Sequence, residues 1–135
     1  MAAGLVTFGL AASRKSWAEA EHPAPRWYAQ ARDMQRLAES WGDQSFGAVL
    51  VFKGRAIGLG PSRVVLDKDP DAHAERVAIR DAQKALVTTN LAGSVLYSTS
   101  RPCAACEAAA ARAGVIRMYH GASLADAGEP GLRGP

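Results

Sequence analysis

Cysteine is scarce in this sequence: its 135 residues include only Cys103 and Cys106. Two cysteines three positions apart cannot build the disulfide framework of a small secreted protein. Basic residues are not concentrated either, because 16 basic and 13 acidic side chains are scattered along the chain with a net charge of +3. No run of Lys and Arg is dense enough to indicate a nucleic-acid-binding stripe. The cysteine pair is therefore a metal site, a redox pair or a chance arrangement.

Long apolar runs are also absent, and none reaches the length of a membrane-spanning helix. The run over residues 2–12 is followed by a polar stretch and by Ala18 and Ala20, an arrangement similar to an export signal, but it lacks a positively charged start. Residues 1–25 are predicted to be an N-terminal segment, either an export signal with its linker or a first buried element. Residues 26–135 are one domain's worth of chain. The default compartment is the cytoplasm, with periplasmic export as the alternative.

The rest of the chain alternates helix and strand signals. Apolar residues at spacings of four and three predict a helix that ends near Gly42: Trp27, Ala31, Met34, Ala38 and Trp41. Strands are predicted over residues 45–52, 56–60, 94–100 and 115–119, the first two joined as a hairpin, and further helices over 69–86 and 103–113. This order predicts an α/β domain with parallel pairing across its two strand–helix–strand crossovers.

The helix over residues 69–86 carries the clearest start signal. Asp69 is predicted to be its N-cap, and Pro70 occupies the first helical position. Five positions are predicted to face inward: Val77, Ala78, Ala82, Ala85 and Leu86.

His73, Cys103 and Cys106 lie at two predicted helix starts. Cys103 and Cys106 are three residues apart on one helical face, and a helix N-terminus favours the thiolate that binds metal. Both helix starts are expected at the carboxyl ends of neighbouring strands, where such folds place their sites. One imidazole and two thiolates predict a three-ligand zinc site with an open fourth position, as in catalytic zinc sites.

Glu75 lies two residues after His73, so the two side chains leave the helix on different sides. Beside an open zinc position, its carboxylate would move protons as a general acid and base. Each residue also has a plainer interpretation. The histidine would serve as a cap or a buried polar group, the cysteines as a redox pair, and the glutamate as a partner of the helix dipole.

The segments H-A-E (73–75) and P-C-A-A-C (102–106) resemble the zinc-dependent cytidine deaminase-like superfamily. The resemblance runs from about Tyr28 to the end of the chain and is nearest to the small guanine, cytosine and tRNA-adenosine deaminase branches. It implies a three-layer α/β/α fold with a mixed sheet of four to five strands. It also implies a zinc ion held by His73, Cys103 and Cys106, proton transfer by Glu75, and a homodimer.

The resemblance also implies where the substrate binds. Ala72 would lie against the base through its backbone. Phe46, on the strand nearest the expected pocket, would pack on the base or belong to the strand core. Ser62 stands where the family usually carries Asn, and Arg101 where these branches often have Glu. Both departures indicate altered substrate choice, with loop drift or plain solvent exposure as the alternatives.

The expected reaction is the hydrolytic release of ammonia from a nucleobase-type aromatic amine. A free base such as cytosine or guanine is favoured over RNA, because His120 and Arg133 are the only basic side chains after Arg117. Deamination of adenosine in tRNA or other RNA is the alternative. Two further alternatives are a relative that keeps zinc for folding alone and a thiol–disulfide protein built on the two cysteines.

Overall fold

The computed structural model of the chain describes residues 22–131. Three helices and five strands follow one another there: α1 (Pro25–Ser40), β1 (Gly47–Phe52), β2 (Arg55–Pro61), α2 (Ala74–Leu86), β3 (Val95–Ser98), α3 (Ala104–Ala113), β4 (Arg117–His120) and β5 (Ala125–Gly128). The segment predicted to be an export signal lies outside the described residues. Between residues 22 and 131, no helix combines the length and apolarity that crossing a membrane requires.

The five strands form one mixed sheet in the order β2-β1-β3-β4-β5. β3 and β4 pair in parallel, as predicted for the crossover through α3, and the other neighbouring pairs are antiparallel. The prediction of parallel pairing across the α2 crossover is wrong, because β1 lies between β2 and β3. β1 is buried almost throughout, whereas β2 has exposed residues, so the more apolar strand of the hairpin takes the inner position.

Helices cover both faces of this sheet, which confirms the three-layer α/β/α architecture. On one face, α1 packs against alternate strand residues in a cluster of Trp27, Ala31, Val49, Val51, Val95, Tyr97 and Tyr119. On the other face, α2 and α3 pack against the intervening residues, which include Ala48, Leu50, Leu96 and Met118. Successive residues of β1 therefore serve opposite cores.

α2 lies directly against the backbone of β2, and two glycines allow this approach. A Cβ atom at Gly60 would overlap the carbonyl oxygen of Ala74, and one at Gly58 would overlap that of Ala78. Side chains at these positions would push the helix away from the strand. Because Ala74 is the first residue of α2, this contact also sets where the N-terminus of α2 lies relative to the sheet.

The helix start predicted at Asp69 is wrong: α2 begins at Ala74, and His73 is its N-cap. Asp69 begins a separate turn, in which its backbone carbonyl accepts the Ala72 N–H at 3.0 Å and its side chain accepts the Asp71 N–H at 2.9 Å. Aspartate followed by proline favours a β-turn as much as a helix start, since proline suits the second position of the turn.

The predicted helix faces are partly correct. In α1, Trp27, Ala31 and Ala38 are buried, but Trp41 is 39% exposed and lies beside the guanidinium of Arg63. In α2, the buried residues are Ala74, Glu75, Ala78, Ile79 and Ala82, whereas Ala85 and Leu86 in the last turn are exposed. Ala78 and Ala82 confirm the prediction, and Ala85 and Leu86 contradict it.

The contact between α2 and β2 predicts a large effect of Gly60→Ala. The added methyl group would meet helix backbone, which cannot rotate away, so we expect the free energy of unfolding to fall by about 2–3 kcal/mol. Leu59→Ala is the matched control, because Leu59 is the adjoining strand residue and is 42% exposed. Urea unfolding measures both variants, and equal losses of stability would contradict the role of the glycine.

Candidate metal centre and active site

The two helices that pack on the same face of the sheet begin close to each other. His73 is the N-cap of α2 and Cys103 is the N-cap of α3, both with extended backbone conformations. An N-cap side chain commonly accepts a hydrogen bond from the first turn, yet neither of these does so. Instead the two side chains turn towards each other and towards Cys106, in the first turn of α3.

The three side chains form a compact donor set. The Nδ1 atom of His73 lies 3.7 Å from the Sγ atom of Cys103 and 3.4 Å from that of Cys106. All three donor atoms lie within 4.8 Å of one another. Tetrahedral zinc, with bonds of about 2.0 Å to nitrogen and 2.3 Å to sulfur, needs such ligands about 3.5 Å apart. The donor types and their spacing therefore fit a zinc ion.

The three donors differ in their exposure to solvent. Cys106 is buried, His73 is half-buried and Cys103 is exposed. Burial raises the pKa of the Cys106 thiol, and the negative charge of Glu75 raises it further. A bound dication reverses this preference, because it coordinates the thiolate directly. The exposed side of the set leaves room for a fourth ligand.

Glu75 lies in the first turn of α2 and is only 5% exposed. The hydroxyl of Ser98, the last residue of β3, donates a 2.8 Å hydrogen bond to its Oε1 atom. This bond fixes the orientation of the carboxylate beside the donor set. Sequence reasoning did not identify Ser98; the available signal was a polar residue at the carboxyl end of a buried parallel strand, where sites of this fold class lie.

A cleft of about 190 Å³ opens beside the donor set. Its walls are formed by Gln44, Phe46, His73, Ala74, Glu75, Ser100, Arg101 and Cys103. The structure thus brings together the predicted zinc ligands, the predicted proton carrier and two of the predicted substrate-binding residues. Phe46 is 43% exposed and offers an aromatic surface, whereas Arg101 is an exposed cation at the edge.

The other two predicted substrate-binding residues do not line this cleft. Ser62 is fully buried, and its hydroxyl donates a 2.9 Å hydrogen bond to the Oδ1 atom of Asp43. Ala72 is 1% exposed, and its N–H and C=O groups are bonded to the backbone of Asp69 and Arg63. Both residues instead stabilise the connection between β2 and α2.

Asp43 is the centre of that connection. Its Oδ2 atom accepts the N–H groups of Val65 and Leu66 at 3.0 and 2.7 Å, and its Oδ1 atom accepts the Gln44 N–H at 2.8 Å beside the Ser62 hydroxyl. Burial opposes ionisation, but these hydrogen bonds, led by the one from Leu66, outweigh it and lower the pKa of Asp43. The ionised carboxylate thus ties the segment before β1 to the loop before α2.

A family match agrees with this geometry. The sequence model described as the cytidine and deoxycytidylate deaminase zinc-binding region matches residues 22–122. The chain belongs to this family. The match includes every residue of the donor set and of the cleft. The prediction that zinc is the cofactor is confirmed, and the donor set is compatible with it.

The relatives carry two kinds of name. The tRNA-specific adenosine deaminase of Agrobacterium fabrum is 43% identical over 100 residues, which is 73% of this chain and 66% of that protein. A solved structure from a study of A-to-I editing by tRNA:A34 deaminases has a TM-score of 0.68 at 37% identity, covering 70% of this chain and 73% of its own. Guanine deaminase from Bacillus subtilis also has a TM-score of 0.68, at 33% identity, covering 72% and 62%.

The chain matches only part of several curated relatives. It covers 66%, 55% and 60% of the length of three proteins named tRNA-specific adenosine deaminase, from two Buchnera aphidicola strains and Haemophilus influenzae.

The donor set predicts one zinc ion per chain and its loss in Cys106→Ser, because a serine hydroxyl is a poor zinc ligand. Ala105→Ser is the control, with the same side chain introduced one position earlier. Elemental analysis by mass spectrometry measures the metal. A metal concentration one hundred times its dissociation constant adds about 2.7 kcal/mol to stability, so chelation should lower the Tm of the parent but not of Cys106→Ser. Full zinc in that variant would contradict the assignment.

The lowered pKa of Asp43 predicts an acid-sensitive connection. A carboxylate whose pKa falls on folding stabilises the protein above the unfolded pKa, and this stability is lost as the pH falls through the folded pKa. Asp43→Asn should therefore lower stability at neutral pH and reduce the further loss below the ordinary carboxyl pKa. Asp33→Asn, at an exposed position paired with Arg36, is the control. Unfolding curves measured at neutral pH and below the ordinary carboxyl pKa test this prediction. An equal loss of stability on acidification in the parent and in Asp43→Asn would contradict it.

Proposed function

We propose that this chain is a zinc-dependent hydrolytic deaminase that acts on adenosine in RNA of the tRNA type. The observation that carries the proposal is the combination of an open His-Cys-Cys donor set with a buried carboxylate in one small cleft. Relatives between 35% and 43% identical, named tRNA-specific adenosine deaminase, support the substrate class. The free-base substrate favoured in the sequence analysis has weaker support from the relatives than the RNA alternative.

Guanine deamination is the second candidate, because a guanine deaminase resembles the fold as well as a tRNA deaminase does. In sequence, the chain is 40% identical over 87 residues to the guanine deaminase of Bacillus subtilis. The two candidates share the reaction and differ in what surrounds the reacting base.

The size of the cleft limits what enters it. Pockets for drug-sized ligands measure roughly 300–1,000 Å³, and this cleft measures about 190 Å³. It suits one heteroaromatic ring, with any attached sugar and phosphate groups outside. Enzymes that modify a base in a nucleic acid take that base out of its stack and bind it alone, so a small cleft is compatible with an RNA substrate.

The residues of the cleft divide the chemistry among them. His73, Cys103 and Cys106 would hold zinc, which supplies a Lewis acid that lowers the pKa of a bound water molecule to about 7. Glu75 accepts one proton from the attacking water and delivers it to the leaving amine, so that water adds to the ring carbon, the C–N bond breaks and ammonia leaves. Ser98 keeps the carboxylate oriented for both transfers.

The position of Glu75 argues against a purely structural metal site. Its carboxylate is buried beside a donor set that already supplies three ligands, and it costs free energy to keep an ionisable group there. A metal that only stabilised the fold would gain nothing from this arrangement. A homodimer remains a prediction.

Glu75→Gln tests the proposed reaction. We expect the zinc-loaded parent to release ammonia from an adenosine-containing anticodon stem-loop, and the variant to lose roughly 10²–10⁴-fold in kcat while retaining zinc. Glu129→Gln is the control, because Glu129 is exposed and does not line the cleft. A coupled ammonia assay and elemental analysis measure activity and zinc.

The panel also includes free guanine, cytosine and adenine. Release from guanine alone would replace the RNA substrate with the second candidate. If a fully zinc-loaded chain released ammonia from none of these substrates, the result would favour the alternative that this chain keeps zinc for folding alone.

A further inference from the structure

Three polar side chains of the cleft have no part in metal binding or proton transfer: Gln44, Ser100 and Arg101. A guanidinium offers donors only, and a serine hydroxyl reaches a short distance. The side-chain amide of Gln44 offers donors and an acceptor in one plane. An amide can pair with neighbouring donor and acceptor atoms on the edge of a base, as Asn and Gln do with adenine.

The backbone of Gln44 is held on both sides although its side chain is exposed. Its N–H donates to the Oδ1 atom of Asp43 at 2.8 Å, and its carbonyl accepts the Phe46 N–H at 2.9 Å. Its side-chain amide has no hydrogen-bond partner among the described residues. The amide is thus an unused recognition group at the wall of the cleft, attached to a fixed point.

Asp43 in turn is fixed by the loop before α2. It accepts the Ser62 hydroxyl and the N–H groups of Val65 and Leu66, and its Oδ1 atom is shared between Ser62 and Gln44. Ser62 therefore reaches the cleft only through Asp43. Its hydroxyl shares the Oδ1 atom of Asp43 with the backbone N–H of Gln44, and Ser62 itself does not line the cleft.

We propose that Gln44 is the specificity-determining residue of this site, whose side-chain amide hydrogen-bonds a ring nitrogen of a purine substrate. Ser62 and Asp43 are positioning residues that hold it. The proposal rests on the proposed function, because it requires a heteroaromatic base in the cleft.

The test pairs one side chain with one ring atom. Gln44→Met keeps the length of the side chain and removes its hydrogen bonds, and 3-deaza and 7-deaza adenine analogues each lack one ring acceptor. In the parent, we expect one analogue to lose about tenfold in kcat/KM relative to the adenine substrate. In Gln44→Met, kcat/KM for the adenine substrate should fall by a similar factor, mostly because KM rises. Replacing the adenine substrate with the same analogue should then lower kcat/KM little further.

The controls separate recognition from structure. Gln30→Met makes the same change on α1 at a residue that does not line the cleft. It should keep the parent's analogue ratio, which is kcat/KM for the adenine substrate divided by kcat/KM for the deaza analogue. Ser62→Ala should reduce that ratio in the same direction as Gln44→Met, which a purely structural role of the hydroxyl would not do. An analogue ratio that is unchanged in Gln44→Met overturns the proposal.

The failure of the proposed function would look different. Activity on free guanine but not on RNA would replace the proposed substrate class. The role of Gln44 would then be tested by comparing the parent and Gln44→Met on guanine and on deaza-guanine analogues. A zinc-loaded chain that deaminates neither would overturn both the proposed function and the role of Gln44.

Discussion

Compensation of charge at the meeting point of two helices is the constraint on which this structure depends. His73 and Cys103 occupy N-cap positions but do not cap, and Cys106 is a buried thiol whose ionisation burial opposes. The dipole of α3 favours a thiolate at Cys103 and Cys106, and a bound cation would offset the remaining cost of two thiolates. A bound metal would therefore explain why the two N-cap side chains do not cap their helices and why the thiol of Cys106 is buried beside them.

That meeting point requires close backbone packing elsewhere. α2 reaches its position because Gly58 and Gly60 let it contact the backbone of β2, and the Asp69–Ala72 turn delivers the chain to His73. α3 follows β3 directly, in the parallel β3–α3–β4 unit. The metal site thus combines one local unit with one packing contact between a helix and the edge strand. The geometry of the β3–α3–β4 unit follows from residues that are close in sequence. The contact of α2 with β2 depends on the small residues Gly58 and Gly60.

The metal site could be predicted from sequence because its signals are local: His73, Cys103 and Cys106 each lie at a helix start with defined spacing. The helix start predicted from Asp69 and Pro70 was wrong, because these two residues favour a turn as well as a helix start. The directions of Ser62 and Ser98 could not be predicted. Ser62 turns to Asp43, 19 positions away, and Ser98 turns to Glu75, 23 positions away, so both depend on how distant segments pack.

The small cleft divides substrate recognition into two tasks. Groups that touch the ring can distinguish one base from another, whereas only groups outside the ring can distinguish RNA from a free base. Arg101 belongs to the second class: it is exposed at the edge, and its planar set of donors suits a phosphate. Gln44 belongs to the first class. Under the proposed function, selectivity for the base and affinity for its RNA context are therefore expected to respond to different substitutions, since the two side chains would contact different parts of the substrate.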